Sequence, residues 1–157
     1  MGKKKTLALR PGDVVAIPRN KGGYYFVLHL ASNRFGEAFG LLQGYRETPD
    51  VTSGWEPVPL SRHVYTGNHL VKTGRWRKVG HREDLRGLFA PTPEIYHIKA
   101  DHPSNPAIGP HGSAETPEGE LRHLSEPEAT GIGLKHGTYR QLMVEEQFEQ
   151  YLQDTLG

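Results

Sequence analysis

The clearest pattern of apolar positions in this chain lies near its start. Three β-favouring residues, Val14, Val15 and Ile17, stand between an Arg-Pro-Gly-Asp turn and a proline. A second apolar run, Gly23-Tyr-Tyr-Phe-Val-Leu-His-Leu30, follows after the short segment Arg19-Asn-Lys-Gly22. A connection this short that contains glycine predicts an antiparallel hairpin. The hairpin is the expected nucleus of a small β-rich domain.

Side chains alternate between the two faces of a strand, so the second run presents two sets of residues. The more apolar set, which we expect to face the core, is Tyr24, Phe26, Leu28 and Leu30. The opposite set is Tyr25, Val27 and His29. The pattern therefore predicts that one face of this strand carries the core.

The same reasoning predicts further strands at residues 35–45, 63–66, 76–79 and 94–98. The first of them is interrupted by Gly36, Gly40 and Gly44. Glycines inside a strand indicate bulges or close approaches of backbone. We therefore expect the sheet to be strongly curved.

The chain changes character after residue 99. Four prolines lie between residues 99 and 119, with almost no large apolar side chains. This composition predicts a Pro/Gly-rich loop or linker over residues 100–137. A helix is predicted over residues 138–157, because Thr138 and Gln141 form a capping box and apolar residues then recur at helical spacing. We expect its apolar stripe to pack on the β-rich part, and a partner interface is the alternative.

Together these elements predict an α+β, mostly β fold. The expected architecture is a small, strongly curved antiparallel sheet or an SH3-like barrel, with a C-terminal amphipathic helix. The predicted organisation is a β-rich domain over residues 10–99, a linker over residues 100–137 and the helix over residues 138–157.

Composition narrows the class of protein. A chain of 157 residues suits one domain with a substantial core. The absence of cysteine excludes disulfides, cysteine-based metal sites and thiol nucleophiles, and it is compatible with the cytoplasm. The apolar segment after the basic N-terminus is only Leu7-Ala8-Leu9, so neither a signal helix nor a membrane span is predicted.

The net charge of +1 hides an asymmetry between the two parts of the chain. Residues 1–100 carry 16 Lys and Arg against 8 Asp and Glu, whereas residues 101–157 carry 3 against 10. Opposite charges of this kind can neutralise each other within the molecule or face partners of opposite sign. The first of these is the favoured interpretation.

Motifs for catalysis are missing from the sequence. The histidines show neither His-Glu-x-x-His spacing nor a tight cluster with carboxylates, so no metal site is predicted. Lys72-Thr73-Gly74 lacks the Ser-x-x-Lys partner that acyl-enzymes require, and Gly131-Ile-Gly133 lacks the third glycine of a dinucleotide site. We therefore expect a binding protein without a cofactor rather than an enzyme.

Basic residues surround one tryptophan in the middle of the chain. The cluster around Trp76 consists of Lys72, Arg75, Arg77, Lys78, Arg82 and Arg86. On a small barrel such a set can contact phosphates and stack a base. Alternating basic and apolar residues are also typical of a half-exposed strand. We favour this second interpretation, with Trp76 in the core and the charges solvated or paired with the acidic tail.

Four segments in order resemble a known family. They are Gly12-Asp-Val-Val-Ala-Ile-Pro18, Gly23-Tyr-Tyr-Phe-Val27, Thr73-Gly-Arg-Trp-Arg-Lys-Val-Gly80 and Glu94-Ile-Tyr-His97. Their order resembles the immunity protein 26 family of bacterial polymorphic toxin systems, over residues 10–98. The second strand departs from the family in having Val27-Leu28 where a glycine is usual.

This resemblance implies a protein that binds and neutralises a cognate toxin in the cytoplasm, without catalysis. The candidate partner-contacting residues are Trp55, Arg75, Trp76, Arg77, Arg82, Glu145 and Glu149. The alternative rests on the first strand, which also resembles small SH3-like barrels, including RNA-binding barrels and toxin ribonucleases of the PemK/MazF type. Nucleic acid is an expected partner only in that alternative.

Overall fold

A computed structural model describes residues 8–49, 58–134 and 141–157 of the chain. The strands are β1 Asp13–Pro18, β2 Tyr24–Asn33, β3 Gly36–Arg46, β4 Val58–Thr66, β5 Arg77–His81, β6 Ile95–His97, β7 Ser113–Glu115 and β8 Leu121–His123. The helices are α1 His69–Thr73, α2 Glu83–Arg86, α3 Glu126–Ile132 and α4 Glu145–Leu156, with a 3₁₀ turn at Lys99–Asp101. The mostly β, α+β class with antiparallel sheets and a C-terminal helix is confirmed. No helix within the described ranges combines the length and apolar character needed to cross a membrane.

The main sheet has five antiparallel strands in the order β4-β3-β2-β1-β5. The predicted hairpin is present, since β1 pairs with β2 from Val14 opposite Leu28 to Pro18 opposite Tyr24. Strand β5 then adds to the other side of β1. The first strand therefore lies inside the sheet, which explains why it contains so few polar residues.

Two glycines of β3 occupy positions that the strand prediction anticipated. The register between β2 and β3 jumps from Tyr25 opposite Tyr45 to Phe26 opposite Leu42, which leaves Gly44 in a bulge with φ +105°. Gly36 has φ +119° at the turn between the two strands. Both conformations favour glycine because a Cβ atom would be strained there.

The sheet is buried on both faces, and this differs from the predicted one-sided core. Tyr25 and Val27 join one hydrophobic cluster, and Phe26 and Leu28 join another on the opposite face. Helix α4 covers the first face with Phe148 and Leu152, and α2 with the following residues covers the second with Leu85 and Phe89. Alternation misled the prediction because both sets of side chains are apolar, as in a sheet between two layers.

The main sheet is open among the described residues. Strands β4 and β5 are its two edges, and no pairing joins them into a barrel. Residues 141–143 lie along β4, since Tyr65 N donates to Gln141 O and Met143 N donates to Tyr65 O. The predicted alternative of a closed SH3-like barrel is therefore not present in this part of the chain.

The predicted linker contains regular structure. Within residues 100–134, β7 and β8 complete a second antiparallel sheet with β6, and α3 follows. A small core of Ala114, Leu124, Ala129 and Leu134 holds these elements together. The sequence pattern did not reveal these strands because each has only three residues. The buried side chains of β7, Ser113 and Ala114, are small, and β8 has no buried residue, so neither strand shows apolar periodicity.

The C-terminal helix begins later than predicted. Helix α4 starts at Glu145, with Val144 as N-cap, whereas Leu142 belongs to the extended segment beside β4. Thr138, the predicted N-cap, lies outside the described residues. The packing prediction is confirmed, because Phe148 and Leu152 are fully buried against the sheet.

We expect Gly36→Ala to lower the free energy of unfolding by about 1–3 kcal/mol. A Cβ atom there would lie 2.6 Å from the backbone oxygen of Thr66, and the positive φ adds strain. Gly87→Ala is the matched control, because Gly87 has φ −67° and no atom within 4 Å of an added Cβ. Urea titration of both variants is the measurement, and equal stability of the two would contradict the prediction.

Candidate functional site

Trp76 lies in the core between the main sheet and α4. Its side chain is fully buried, and its ring makes edge-to-face contacts with Phe39 at 6.2 Å and Phe148 at 5.6 Å between centroids. Aromatic pairs at this separation and tilt stabilise a core. A base has no access to this ring, which agrees with the interpretation that placed Trp76 inside the domain.

Glu149 of α4 joins two of the predicted site residues. Its Oε2 accepts hydrogen bonds from Trp76 Nε1 at 2.7 Å and Arg75 Nε at 2.8 Å, while its Oε1 accepts from Arg75 Nη2 at 2.7 Å. Burial raises the pKa of Glu149, but the hydrogen bonds from Arg75 and Trp76 outweigh it and leave the pKa below its usual value. This Glu149 cluster ties the helix to the start of β5, and it connects the basic part of the chain with the acidic tail.

Most other cations near Trp76 are neutralised by neighbours in sequence or across β1. Lys78 Nζ lies 3.3 Å from Asp13 Oδ2, and Arg82 binds Asp84 at 2.9 Å. Arg86 pairs with Glu83 at 2.7 Å. Arg75 pairs with the acidic tail as predicted, whereas Lys78, Arg82 and Arg86 pair with carboxylates of residues 1–100, which the prediction did not include.

The remaining candidate residues have different surroundings. Arg77 is exposed on the edge strand β5. Glu145 accepts a hydrogen bond from Leu70 N at 2.5 Å, which connects α4 with α1. Trp55 lies outside the described residues. The structure brings Arg75, Trp76 and Glu149 together, and their contact with a partner stays a prediction.

A buried carboxylate escaped the sequence analysis. Asp13 is fully buried at the start of β1, where Oδ2 accepts from Arg10 N at 2.9 Å and Oδ1 lies 2.8 Å from His81 Nδ1. Burial raises its pKa, but hydrogen bonds from Arg10, His81 and Lys78 together lower it. In the sequence, the one sign of this buried site was an acidic residue at the start of an apolar strand. Aspartate is also common in turns, so that position alone did not indicate burial.

His81 lies between two carboxylates. Its Nδ1 contacts Asp13 and its Nε2 lies 2.9 Å from Glu83 Oε1. These hydrogen bonds, first the one to Asp13 and then the one to Glu83, raise the pKa of His81 above its ordinary value of 6.5. Because every acceptor belongs to the chain itself, the arrangement anchors β5 and α2 to β1.

A second polar cluster, on β2 and β3, resembles catalytic machinery in composition but differs in geometry. Glu37 Oε1 lies 3.0 Å from His29 Nε2, and Glu37 Oε2 accepts from Ser32 Oγ at 2.5 Å. The hydrogen bond from His29 lowers the pKa of Glu37 against the effect of burial. A hydrolytic triad needs the imidazole beside the nucleophile. Here the carboxylate is central and contacts both partners, so the order of the three groups is not that of such a triad.

Within the described ranges, no three or more His, Asp or Glu side chains are arranged so that they could hold a metal ion. Comparisons with protein-family models, with curated proteins and with solved structures found no match to this chain. Functional inference therefore depends on the described residues and on the motifs that they contain.

We expect Trp76→Ala to destabilise the protein by about 3–5 kcal/mol, because it removes a fully buried ring and leaves Glu149 without the indole donor. Arg75→Ala is the matched control. Its side chain is 47% exposed, so we expect a loss below about 1 kcal/mol. Denaturant unfolding measures both variants, and a Trp76→Ala protein as stable as the control would contradict the core assignment.

His81 predicts a pH dependence of stability. Its pKa is raised in the folded state, so its contribution is complete below 6.5 and is lost as pH rises through the folded pKa. Burial lowers the pKa of His63 in the folded state, so this residue changes the free energy of unfolding only below pH 6.5, outside this window. We expect the free energy of unfolding to fall as pH rises from 6.5, and this slope to be absent in His81→Asn. Urea titrations at several pH values test this, and an unchanged slope in the variant would refute the assignment.

Proposed function

We propose that this chain is an immunity protein that binds a cognate bacterial toxin and neutralises it by occupying its surface. The proposal includes action in the cytoplasm of the producing cell and no reaction of its own. Its polar clusters suit this assignment, because their donors and acceptors are used to connect elements of the chain. A toxin-binding protein needs such a rigid scaffold, since preorganisation reduces the cost of association.

The observation that carries the proposal is the placement of the segments that resemble the immunity family. Residues 12–18 are in β1, residues 23–27 are in β2 and residues 73–80 lead into β5. These strands are neighbours in the order β2-β1-β5. Three of the four segments thus form neighbouring strands of the main sheet, which supports reading these three as one motif, while the fourth, residues 94–97, contains β6 of the second sheet. The register shifts of β1, β2 and β3 support the strong curvature that we expect of this sheet.

The RNA-binding alternative receives less support. Its proposed stacking residue, Trp76, is buried, and Arg75, Lys78, Arg82 and Arg86 are paired with carboxylates. A phosphate backbone would have to compete with those pairs.

An immunity protein predicts that a neighbouring gene encodes its toxin, and the test is expression of the chain in a bacterial cell with and without that toxin. We expect the chain alone to be harmless and to restore growth when the toxin is present. Growth arrest and RNA cleavage by the chain alone would instead support a toxin ribonuclease. RNA affinity that falls steeply with salt, without protection, would support an RNA-binding protein.

Val15→Asp provides the negative control for this experiment. Val15 is fully buried in β1, so an unpaired charge there should unfold the domain and abolish protection. The exposed change Lys21→Gln, in the turn between β1 and β2, should leave the fold intact and serves as the matched folded control. Protection that survives Val15→Asp would show that the folded domain is not its source.

A further inference from the structure

Two large apolar side chains are exposed close together just before α4. Leu142 is 53% exposed and Val144 is 60% exposed, while Met143 between them is buried. Single exposed apolar residues are common on protein surfaces. Two within three positions, beside a surface depression lined by residues 67 and 142–147, form a continuous apolar feature. We call residues 141–147 the 141–147 ridge.

The backbone of this ridge is held in place by the main sheet. Tyr65 N donates to Gln141 O at 2.6 Å, and Met143 N donates to Tyr65 O at 3.0 Å. The side chain of Gln141 also donates to Tyr96 O at 2.6 Å, and that of Met143 joins the core. Alternate residues are therefore anchored inward while Leu142 and Val144 project outward. A partner would find both apolar side chains already ordered, which lowers the entropic cost of binding.

Two acidic residues, Glu145 and Glu146, are among those that line the depression. Glu146 is exposed and forms no ion pair with any residue of the described ranges. The carboxylate of Glu145 also lies beside the depression, where it accepts a hydrogen bond from Leu70 N. No lysine or arginine is among the residues that line the depression. An apolar centre with a negative rim is complementary to a basic surface that offers an apolar recess.

We infer that the 141–147 ridge is the contact surface for a basic region of a partner protein. The inference rests on the proposed function, so the partner is the cognate toxin. Leu142 and Val144 insert into an apolar recess of the toxin, and Glu146 attracts lysine or arginine side chains around it. A stable complex buries about 800 Å² on each partner, so the ridge is the centre of a larger contact. Long-range attraction between the acidic rim and the basic toxin speeds their encounter.

The test measures binding of the purified toxin domain encoded by the neighbouring gene to the full chain and its variants, by surface plasmon resonance. We expect Leu142→Lys to raise the dissociation constant at least about tenfold, because it removes an anchor and adds a charge that repels the basic surface. Glu146→Lys should slow association several-fold and weaken its dependence on salt. Val144→Lys repeats the first change at a second exposed position.

Matched controls separate the ridge from general effects of added charge. Leu88→Lys changes an exposed leucine, 61% accessible, next to α2. Asp154→Lys reverses a charge on α4, about 12 Å along the helix from Glu146. Both controls should bind as the unchanged chain does. Thermal melts establish that each variant is folded.

The outcomes distinguish the two proposals. If the unchanged chain neither protects cells nor binds the toxin, the proposed function fails and this inference fails with it. If it protects and binds, but ridge variants bind as tightly as the controls, the toxin contacts another surface and only the ridge inference is overturned. Selective weakening in the ridge variants supports both.

Discussion

The structure depends on covering both faces of one five-stranded sheet. Strands β1, β2 and β3 carry large apolar side chains on each side, so neither face can remain in water. Helix α4 closes one face through Phe148 and Leu152, and the α2 region closes the other. The α2 region and α4, which follow the strands β1, β2 and β3 in the chain, are therefore needed to bury the two apolar faces of those strands.

Charge plays a complementary role in this assembly. The Glu149 cluster attaches the covering helix to β5, and the buried Asp13 attaches β5 to β1 through Lys78 and His81. Each carboxylate receives several donors, which compensates for its removal from water. Part of the opposite charge of the basic and acidic parts of the sequence is thus neutralised by ion pairs inside the molecule. Only charges outside these contacts, such as Glu146, remain available to attract another molecule.

These features together suit a rigid scaffold that presents surface residues. Some polar clusters have the residue types of a catalytic site, but their hydrogen bonds go to other groups of the chain, as in the contacts of Glu37 with His29 and Ser32. The outward-facing apolar residues of the 141–147 ridge sit on a segment that the sheet already orders. A scaffold of this kind can recognise a protein partner with little rearrangement.

The sequence by itself determined the local elements whose signals are strong. The hairpin of β1 and β2, the bulge at Gly44 and the amphipathic C-terminal helix all follow from apolar runs, glycine and helical spacing. These signals concern neighbours along the chain, and so a pattern reveals them. Strands β7 and β8 were missed because each has only three residues, and their buried side chains, Ser113 and Ala114 of β7, are small.

Tertiary structure decided which face is buried and which charge is paired. Alternation in β2 could not show that both faces are covered, because the covering residues Leu85 and Phe148 lie far away in sequence. The same holds for Glu149, which meets Trp76 across 73 positions. It also holds for Leu142, whose place on the surface follows from pairing with Tyr65 rather than from helical spacing. Long-range packing selects among local options that are equally consistent with the sequence, and the exposed ridge is a product of that selection.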